Sequence, residues 1–468
     1  GDLVYAAQRS RRSLDDLIKN TPGDGLITGV SFVNSDLFNK EKAKTAIMHY
    51  DYMVLAGTQG INNHKKLDRM IDVIRGLRTP LIFFCEGGGG RPGDVDAGDQ
   101  NIAGLNIPSF HDFARLSGVV PLVGIGSGRL FAGNAALLGC CDVIIGTKDL
   151  NLGMGGPAMI EGGGLGVYKP EEVGPTSVQY PNGVIDILVD NEDDAVATAK
   201  KYLSYFQGDL ESWEAPDKEN LRNVIPENRL EVYNIREVID NIADIGSVLE
   251  IKAGFAKGMF TGFIRVRGKP LGLIANNPLY LAGAIDSNGA DKASRFIKLC
   301  ENYNIPILSL CDTPGMMVGP EVEETGLVRH CCRLFLAGAN VTVPMLTIVL
   351  RKAYGLGAQA MAGGSFMAPQ FVVGWPTAEI GAMGLEGAVK LGYRKELEAE
   401  SNEDKKEKLF KKLVDELYEK GKAINAASLL EFDTVLDPIE SRDWISMVVE
   451  SPADNSIKAP KNRYIDSW

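Results

Sequence analysis

One arrangement of strands and helices is written twice along this chain, and that duplication limits the fold more than any other feature. The first copy runs through the strand-like segments TPLIFFCEGGGG (79–90) and VVPLVGIGSG (119–128), the helical stretch FAGNAALLGC (131–140) and the apolar run DVIIGT (142–147). The second runs through IPILSLCDTPG (305–315), VTVPMLTIVLRKAYG (341–355), LGAQAMAGG (356–364) and FVVGWPTAEIGAMG (371–384). Pro80 and Pro306 lie 226 positions apart, and Pro121 and Pro344 lie 223 apart. Two copies of one unit account for 468 residues without invoking three separate folds. Strands alternating with helices imply an α/β class, mainly parallel, with helices packed around the strands. The polar stretch GDLESWEAPDKENLRNVIPENR (208–229), with two prolines, reads as a linker and sets the expected domains at 1–222 and 223–468.

Two helices are legible from periodicity. DKASRFIKLCENYN (291–304) carries Ala293, Phe296, Ile297 and Cys300 at helical spacing. KKEKLFKKLVDELYEKG (405–421) puts Leu409, Phe410, Leu413, Val414, Leu417 and Tyr418 on one stripe, with Gly421 as its stop. The charge run RKELEAESNEDKKEK before it reads as a solvated helix face and loop. A net charge of −12 argues against a general nucleic-acid footprint. Seven cysteines, mostly in apolar runs and with no CxxC pair, read as buried free thiols of a reducing compartment. No apolar run reaches the roughly 18 residues of a membrane helix, so no membrane insertion is expected. The first residue is not Met, which makes excision from a longer chain an expectation.

Chemistry is expected at small residues that follow strands. Ala132-Gly133-Asn134-Ala135 links a strand to a helix in the first copy, and Gly355-Leu356-Gly357-Ala358 does so in the second. Such turns let another molecule approach the backbone and leave helix N-terminal amides without partners. Those amides suit a developing oxyanion, while close helix packing is the competing explanation for small residues. The run Glu86-Gly87-Gly88-Gly89-Gly90-Arg91 is either a phosphate cradle with Arg91 as its cation or a flexible loop. With four histidines and no HExxH, GxSxG or P-loop motif, side-chain catalysis finds little support. His111 and His330 are expected on helices or their flanks in structural or surface roles, and no metal site is expected.

The segments YNIREVIDNIADIGSVLEI (233–251), GKPLGLIANNP (268–278), LAGAIDSNGADKASRFIKLCENYNIPIL (281–308), DTPGMMVG (312–319), TVPMLTIVLRKAYG (342–355), WPTAEIGAMGLEGAVKL (375–391) and FDTVLDPIESR (432–442) follow one another in a familiar order. Together they resemble the carboxyltransferase of biotin-dependent acyl-CoA carboxylases, especially the propionyl-CoA carboxylase β-subunit group. In the first half, GDGLITGVSFVN (23–34) and SGVVPLVGIGSG (117–128) carry the likeness.

The resemblance implies two tandem ClpP/crotonase-like β-β-α superhelical domains, the first facing acyl-CoA and the second facing biotin. It implies transfer of a carboxyl group from carboxybiotin on a carrier to the α-carbon of an acyl-CoA, through a thioester enolate held by backbone oxyanion holes. The family's acyl oxyanion amides fall on Ala132 and Gly133, with Asn134 beside them, and its biotin-side amides on Gly355, Leu356 and Gly357. Its CoA contacts fall on Gly88, Gly89, Gly90 and Arg91, and its acyl-length region on Gln359. If only its backbone contributes, Asn134→Ala should be mild. Where the family commonly has Gly-Gly and Gly-Gly-Ala, this chain has Ala132-Gly133 and Gly355-Leu356-Gly357-Ala358. No biotin-acceptor Met-Lys-Met and no ATP-binding half are present, so a biotin carboxylase and a biotin carboxyl carrier are the implied partners. The implied assembly is a homo-oligomer, a hexamer built as a trimer of dimers, in the cytoplasm or the mitochondrial matrix. Apolar patches such as WPTAEIGAMGLEGAVKL are expected to be buried between chains. Two other readings share the segments: the α-subunit of a biotin-dependent decarboxylase of the glutaconyl-CoA type, and a non-catalytic scaffold with a decayed site.

Overall fold

The computed structural model describes residues 3–97, 104–451, 464–466 and 468. The chain forms two compact units, Gly1–Gly208 with Pro460–Trp468 and Asp209–Ala459. The division falls earlier than 222/223 for a packing reason. Leu210 N–H donates to Gly268 O, and Leu221 and Ile225 are buried in the second core beside the helix Ile235–Ile242. The stretch read as a linker is therefore largely part of the second unit.

The first unit opens with an antiparallel hairpin of β1 (Leu26–Phe32) and β2 (Lys44–Tyr50). Helix α1 (Ile61–Leu77) then carries the chain to β3 (Leu81–Phe84), which pairs parallel with β2. β4 (Leu122–Gly126) and β5 (Val143–Thr147) add in parallel, with α2 (Gly133–Gly139) between them in sequence and Ile187–Val189 at the far edge. α1 buries Leu67, Met70, Ile71 and Ile74, one apolar stripe at i, i+3, i+4 and i+7. Each such side chain stabilises the core by about 1.5–3 kcal/mol. β4 and β5 are buried at every residue, as strands covered on both faces require.

The second unit repeats the plan. β6 (Met259–Val266) and β7 (Lys269–Asn276) form the hairpin, and α3 (Ser287–Asn302) crosses to β8 (Ile307–Thr313). β9 (Met345–Tyr354), α4 (Gly355–Met361) and β10 (Phe371–Gly374) follow. The prolines that mark the repeat have the same work in each unit. Pro80 O accepts from Ala46 N–H and Pro306 O from Gly272 N–H, both at 2.8 Å. Pro121 O accepts from Leu81 N–H at 2.9 Å and Pro344 O from Ile307 N–H at 2.8 Å. A strand's first residue can lack an N–H while its carbonyl enters the ladder.

A second identity emerges at the same 226-residue offset. Leu55-Ala56-Gly57 and Leu281-Ala282-Gly283 are both short 3-10 turns in which all three residues have positive φ. Leu and Ala in that region are strained, so the geometry is imposed by the surrounding fold.

Among helices read from sequence, α3 starts earlier than position 291 because Asp286 caps it, accepting from Gly289 N–H at 2.7 Å. α5 (Glu403–Gly421) is capped by Asn402 and buries Leu413 and Val414. Of the seven thiols, five are buried, Cys140 is half-buried and Cys332 is exposed. In WPTAEIGAMGLEGAVKL, Trp375, Ala378 and Leu385 are buried within their own unit, and Trp375 Nε1–H donates to Ser441 Oγ. That segment is thus core as much as surface, although Met383 and Leu391 are exposed. Among the described residues no helix is long and apolar enough to cross a membrane.

Candidate active site at two strand-to-helix elbows

The first elbow joins the short strand Arg129–Phe131 to α2. It turns at Ala132, whose φ of 53° and ψ of −123° suit glycine and cost a residue with a Cβ about 1–3 kcal/mol. The abrupt turn starts the helix at once. No side chain caps it, so the Gly133 and Asn134 amides stand ahead of the first intrahelical bond, Ala136 N–H to Ala132 O. Ala132 is not one of those donors, because its own N–H is donated to Gly153 O at 3.1 Å. It shapes the elbow, and the amides left uncapped at the helix start are those of Gly133 and Asn134.

Asn134 contributes more than its amide. Its side chain is fully buried; Oδ1 accepts from Gly89 N–H at 3.0 Å, and Nδ2 points at Cys85 O at 3.1 Å and Gly57 O at 3.3 Å. One side chain thereby ties the end of β3, the strained Leu-Ala-Gly turn and the glycine run to the elbow. The expectation that Asn134→Ala is mild does not survive this geometry.

The glycine run is neither a flexible loop nor an open phosphate cradle. Gly87 N–H donates to Arg129 O, Gly88 N–H to Ala56 O, Gly89 N–H to Asn134 and Arg91 N–H to Gln59 O. Glycine is required at Gly89, where φ is 84° and an added Cβ would lie 2.5 Å from Ala132 Cβ. Gly88 and Gly90 are exposed. The Arg91 side chain is 6% exposed and bonds Asp24, Asp94 and Thr58. Its charge closes the loop internally, since leaving Asp24 and Asp94 unpaired in the interior would be costly. Burial pushes the Asp24 carboxyl up, and the Arg91 guanidinium pulls it back.

The second elbow lies at the 223-residue offset. β9 ends at Tyr354, and Gly355, equivalent to Ala132, turns the chain with φ 56° into α4. Again no side chain caps the helix, so the Leu356 and Gly357 amides correspond to those of Gly133 and Asn134. The Leu356 side chain is 62% exposed. Gly357 lies against Gly315, and a Cβ there would meet its backbone at 2.6 Å. Gln359 is exposed on the same helix.

Buried charge supports this second elbow. Asp312, at the end of β8, accepts from Tyr233 Oη at 2.8 Å, Arg351 Nε at 3.2 Å and Lys352 N–H at 3.1 Å. Tyr354 Oη donates to Glu379, whose other oxygen has no partner and whose carboxyl burial pushes up. Burial also lowers the Lys352 ammonium, which donates to Ala282 O at 3.2 Å. In the first unit the place of Asp312 is taken by Glu86, which burial raises to about 6. From sequence, Asp312 reads only as part of a strand-end turn and Glu86 as the start of the glycine run, and their partners carry no motif; the identical Leu-Ala-Gly turns and the acidic residue at each matching strand end are the available signals.

The histidines have other duties. His330 lies on the helix Leu327–Gly338 with Nδ1 2.7 Å from Asp291, and His111 is exposed on Ser109–Ala114 beside Asp112. His64 and Asp68 share Ser109 Oγ, which donates to Asp68, so the serine is a structural bridge. Among the described residues no group of three or more His, Cys, Asp or Glu is placed to hold a metal ion. Each elbow thus presents uncapped main-chain amides at a helix start, a construction suited to stabilising negative charge on a carbonyl oxygen.

A family model described as the carboxyl transferase domain matches residues 9–465. The methylmalonyl-CoA carboxyltransferase 12S subunit of Propionibacterium freudenreichii subsp. shermanii is 32% identical over 99% of this chain and 88% of its own. A solved structure described as a single-chain, multi-domain long-chain acyl-CoA carboxylase is 54% identical with a TM-score of 0.90, over 96% of this chain and 44% of that one. The transcarboxylase 12S structure, solved as a hexamer assembly with methylmalonyl-CoA, is 30% identical with a TM-score of 0.82, over 97% of this chain and 87% of that one. The chain therefore belongs to the carboxyl transferase family, with that family's crotonase-like fold in tandem, and spans less than half of the long-chain enzyme it matches.

Proposed function

We propose that this carboxyltransferase moves a carboxyl group between biotin on a carrier and the α-carbon of a long-chain acyl-CoA. The observation that carries the reading is the pair of equivalent elbows, each with uncapped main-chain amides at a helix start. The first unit takes the acyl-CoA and the second takes biotin. Gly133 and Asn134 N–H receive the thioester oxygen as it gains negative charge, and Ala132 fixes their direction. Leu356 and Gly357 N–H receive the ureido oxygen, with Gly355 as the corresponding turn. Bound carboxybiotin supplies the carboxyl group and, once that has left, the base for the α-proton. The fit is chemical: two N–H donors suit a urea carbonyl that becomes anionic, and each donor contributes on the order of 10²–10³ in rate. In the first unit the exposed Gly88 and Gly90 flank Gly89, which Asn134 ties to the elbow, and they contact CoA; in the second unit Gln359 is exposed on α4 and contacts substrate.

The long-chain assignment rests on the identity to the long-chain acyl-CoA carboxylase. The biotin carboxylase and biotin carrier implied by the resemblance are the partners in this reading, which the multi-domain make-up of that enzyme supports, and the 12S hexamer supports a homo-oligomer of that kind. The test is biotin-dependent decarboxylation across malonyl-, methylmalonyl-, glutaconyl- and long-chain carboxyacyl-CoA. Long-chain esters should turn over fastest. A clear preference for a short ester refutes the assignment, and inactivity with every ester refutes the function.

A further inference from the structure

Gly133 is glycine for a specific reason. A Cβ built there would lie 2.2 Å from Gln59 Oε1 and 3.2 Å from Phe110 Cζ. Gln59 comes from the loop after Leu55-Ala56-Gly57, and its backbone is locked, donating N–H to Gly89 O and accepting from Arg91 N–H. The residue is 3% exposed. Its Nε2 donates to Tyr50 Oη at 3.3 Å, and Tyr50 Oη donates to Asn63 Oδ1 at 3.3 Å. Asn63 is in turn held by Asp24, the partner of Arg91. Four buried residues therefore fix the amide and decide which end of it faces the elbow. The carbonyl oxygen is that end, and among the described residues it accepts no hydrogen bond.

The residue is buried but Oε1 itself keeps access to solvent, so an acceptor held in one direction is open to a ligand that brings the donor. An acceptor beside oxyanion donors cannot receive the oxyanion itself; it suits an N–H. The pantetheine arm of an acyl-CoA carries a secondary amide two methylenes from the thioester sulfur. With the thioester oxygen on Gly133 and Asn134, that N–H falls beside the elbow. The second unit has Ile285 at the equivalent position, with the same backbone bonds to Gly315 and Met317 and no acceptor. The feature belongs to the unit that takes the thioester.

We propose that Gln59 is a specificity-determining residue whose Oε1 accepts a hydrogen bond from the pantetheine amide N–H of the acyl-CoA. This rests on the assignment of the first unit to acyl-CoA. The test compares the protein with Gln59→Met, of similar length and without the acceptor, and Gln59→Glu, which keeps an acceptor oxygen. Decarboxylation in the presence of free biotin is measured on a carboxyacyl N-acetylcysteamine thioester and on an S-alkyl thioester of equal length without the amide. Binding of a non-reactive S-alkyl-CoA thioether is measured alongside by calorimetry. The parent should prefer the amide-bearing ester by roughly tenfold, Gln59→Met should abolish that preference and weaken the thioether by a similar factor, and Gln59→Glu should retain the preference. Equal losses on both esters in Gln59→Met would show a purely structural role, and an unchanged preference would show no contact; either overturns the inference. A parent that binds the thioether and transfers nothing sinks the proposed reaction instead, while the weaker thioether binding of Gln59→Met still upholds the contact.

Discussion

The two elbows close the same gap by different means. In the first unit the Asn134 side chain fills the space between the helix and the glycine run and accepts from Gly89 N–H. In the second, Gly357 replaces that asparagine and approaches Gly315, the equivalent of Gly89, directly. One copy uses a hydrogen-bonded side chain and the other removes the side chain. Both copies keep the positive-φ turn into an uncapped helix, and the filler beside it differs.

The largest effect that separates the copies should come from Asn134→Ala. It strands Gly89 N–H and two carbonyls in the interior, at about 1–3 kcal/mol for each unsatisfied group. Thermal unfolding and acyl-CoA binding should both fail sharply; a variant with near-parental melting and binding would remove Asn134 from the site's framework. Gly357→Ala comes next. Its Cβ meets backbone at 2.6 Å, which cannot swing aside, so the biotin-dependent step should fall by roughly 10²-fold while acyl-CoA binding persists. Equal loss of both half-functions would mean that the units do not divide the substrates.

Smaller effects sharpen the contrast. Glu86 in the folded chain binds its proton more tightly than in the unfolded chain, its carboxyl standing at about 6 against an ordinary 4.5. Stability from this group therefore declines as pH rises from about 4.5 to about 6 and is level above that. Glu86→Gln should flatten that decline in denaturant midpoints, and an unchanged slope would contradict the burial. Ala132→Gly should stabilise the first unit by about 1 kcal/mol, relieving the positive φ that Gly355 already relieves in the second. Leu356→Ala, whose side chain faces solvent, should change melting by no more than about 0.5 kcal/mol.

Much of this architecture was legible before any coordinates. Constant spacing between Pro80 and Pro306 and between Pro121 and Pro344 is a consequence of ladder hydrogen bonds that recur in both sheets. The elbows were legible because Gly and Ala at strand ends permit what larger residues forbid. The donor register was not, because whether Ala132 N–H is available depends on Gly153, a residue on a separate strand. Arg91 misled for a similar reason: a cation after a glycine run looks like a phosphate ligand until Asp24, distant in sequence, is found against it. Gln59 carries no motif at all, and its meaning arises from an oxygen held over the one face where Gly133 has no side chain.

The elbow donors are main-chain atoms, and that changes how such a protein ages. A codon change at Gly133, Asn134, Leu356 or Gly357 rewrites what surrounds the N–H without deleting it, unless proline is introduced. What such a change costs is then decided by the room around the N–H, which is tight at Gly357 and open at Leu356. Deleting one donor cleanly calls for backbone chemistry, an ester in place of a single amide, because the genetic alphabet has no gentler letter for it.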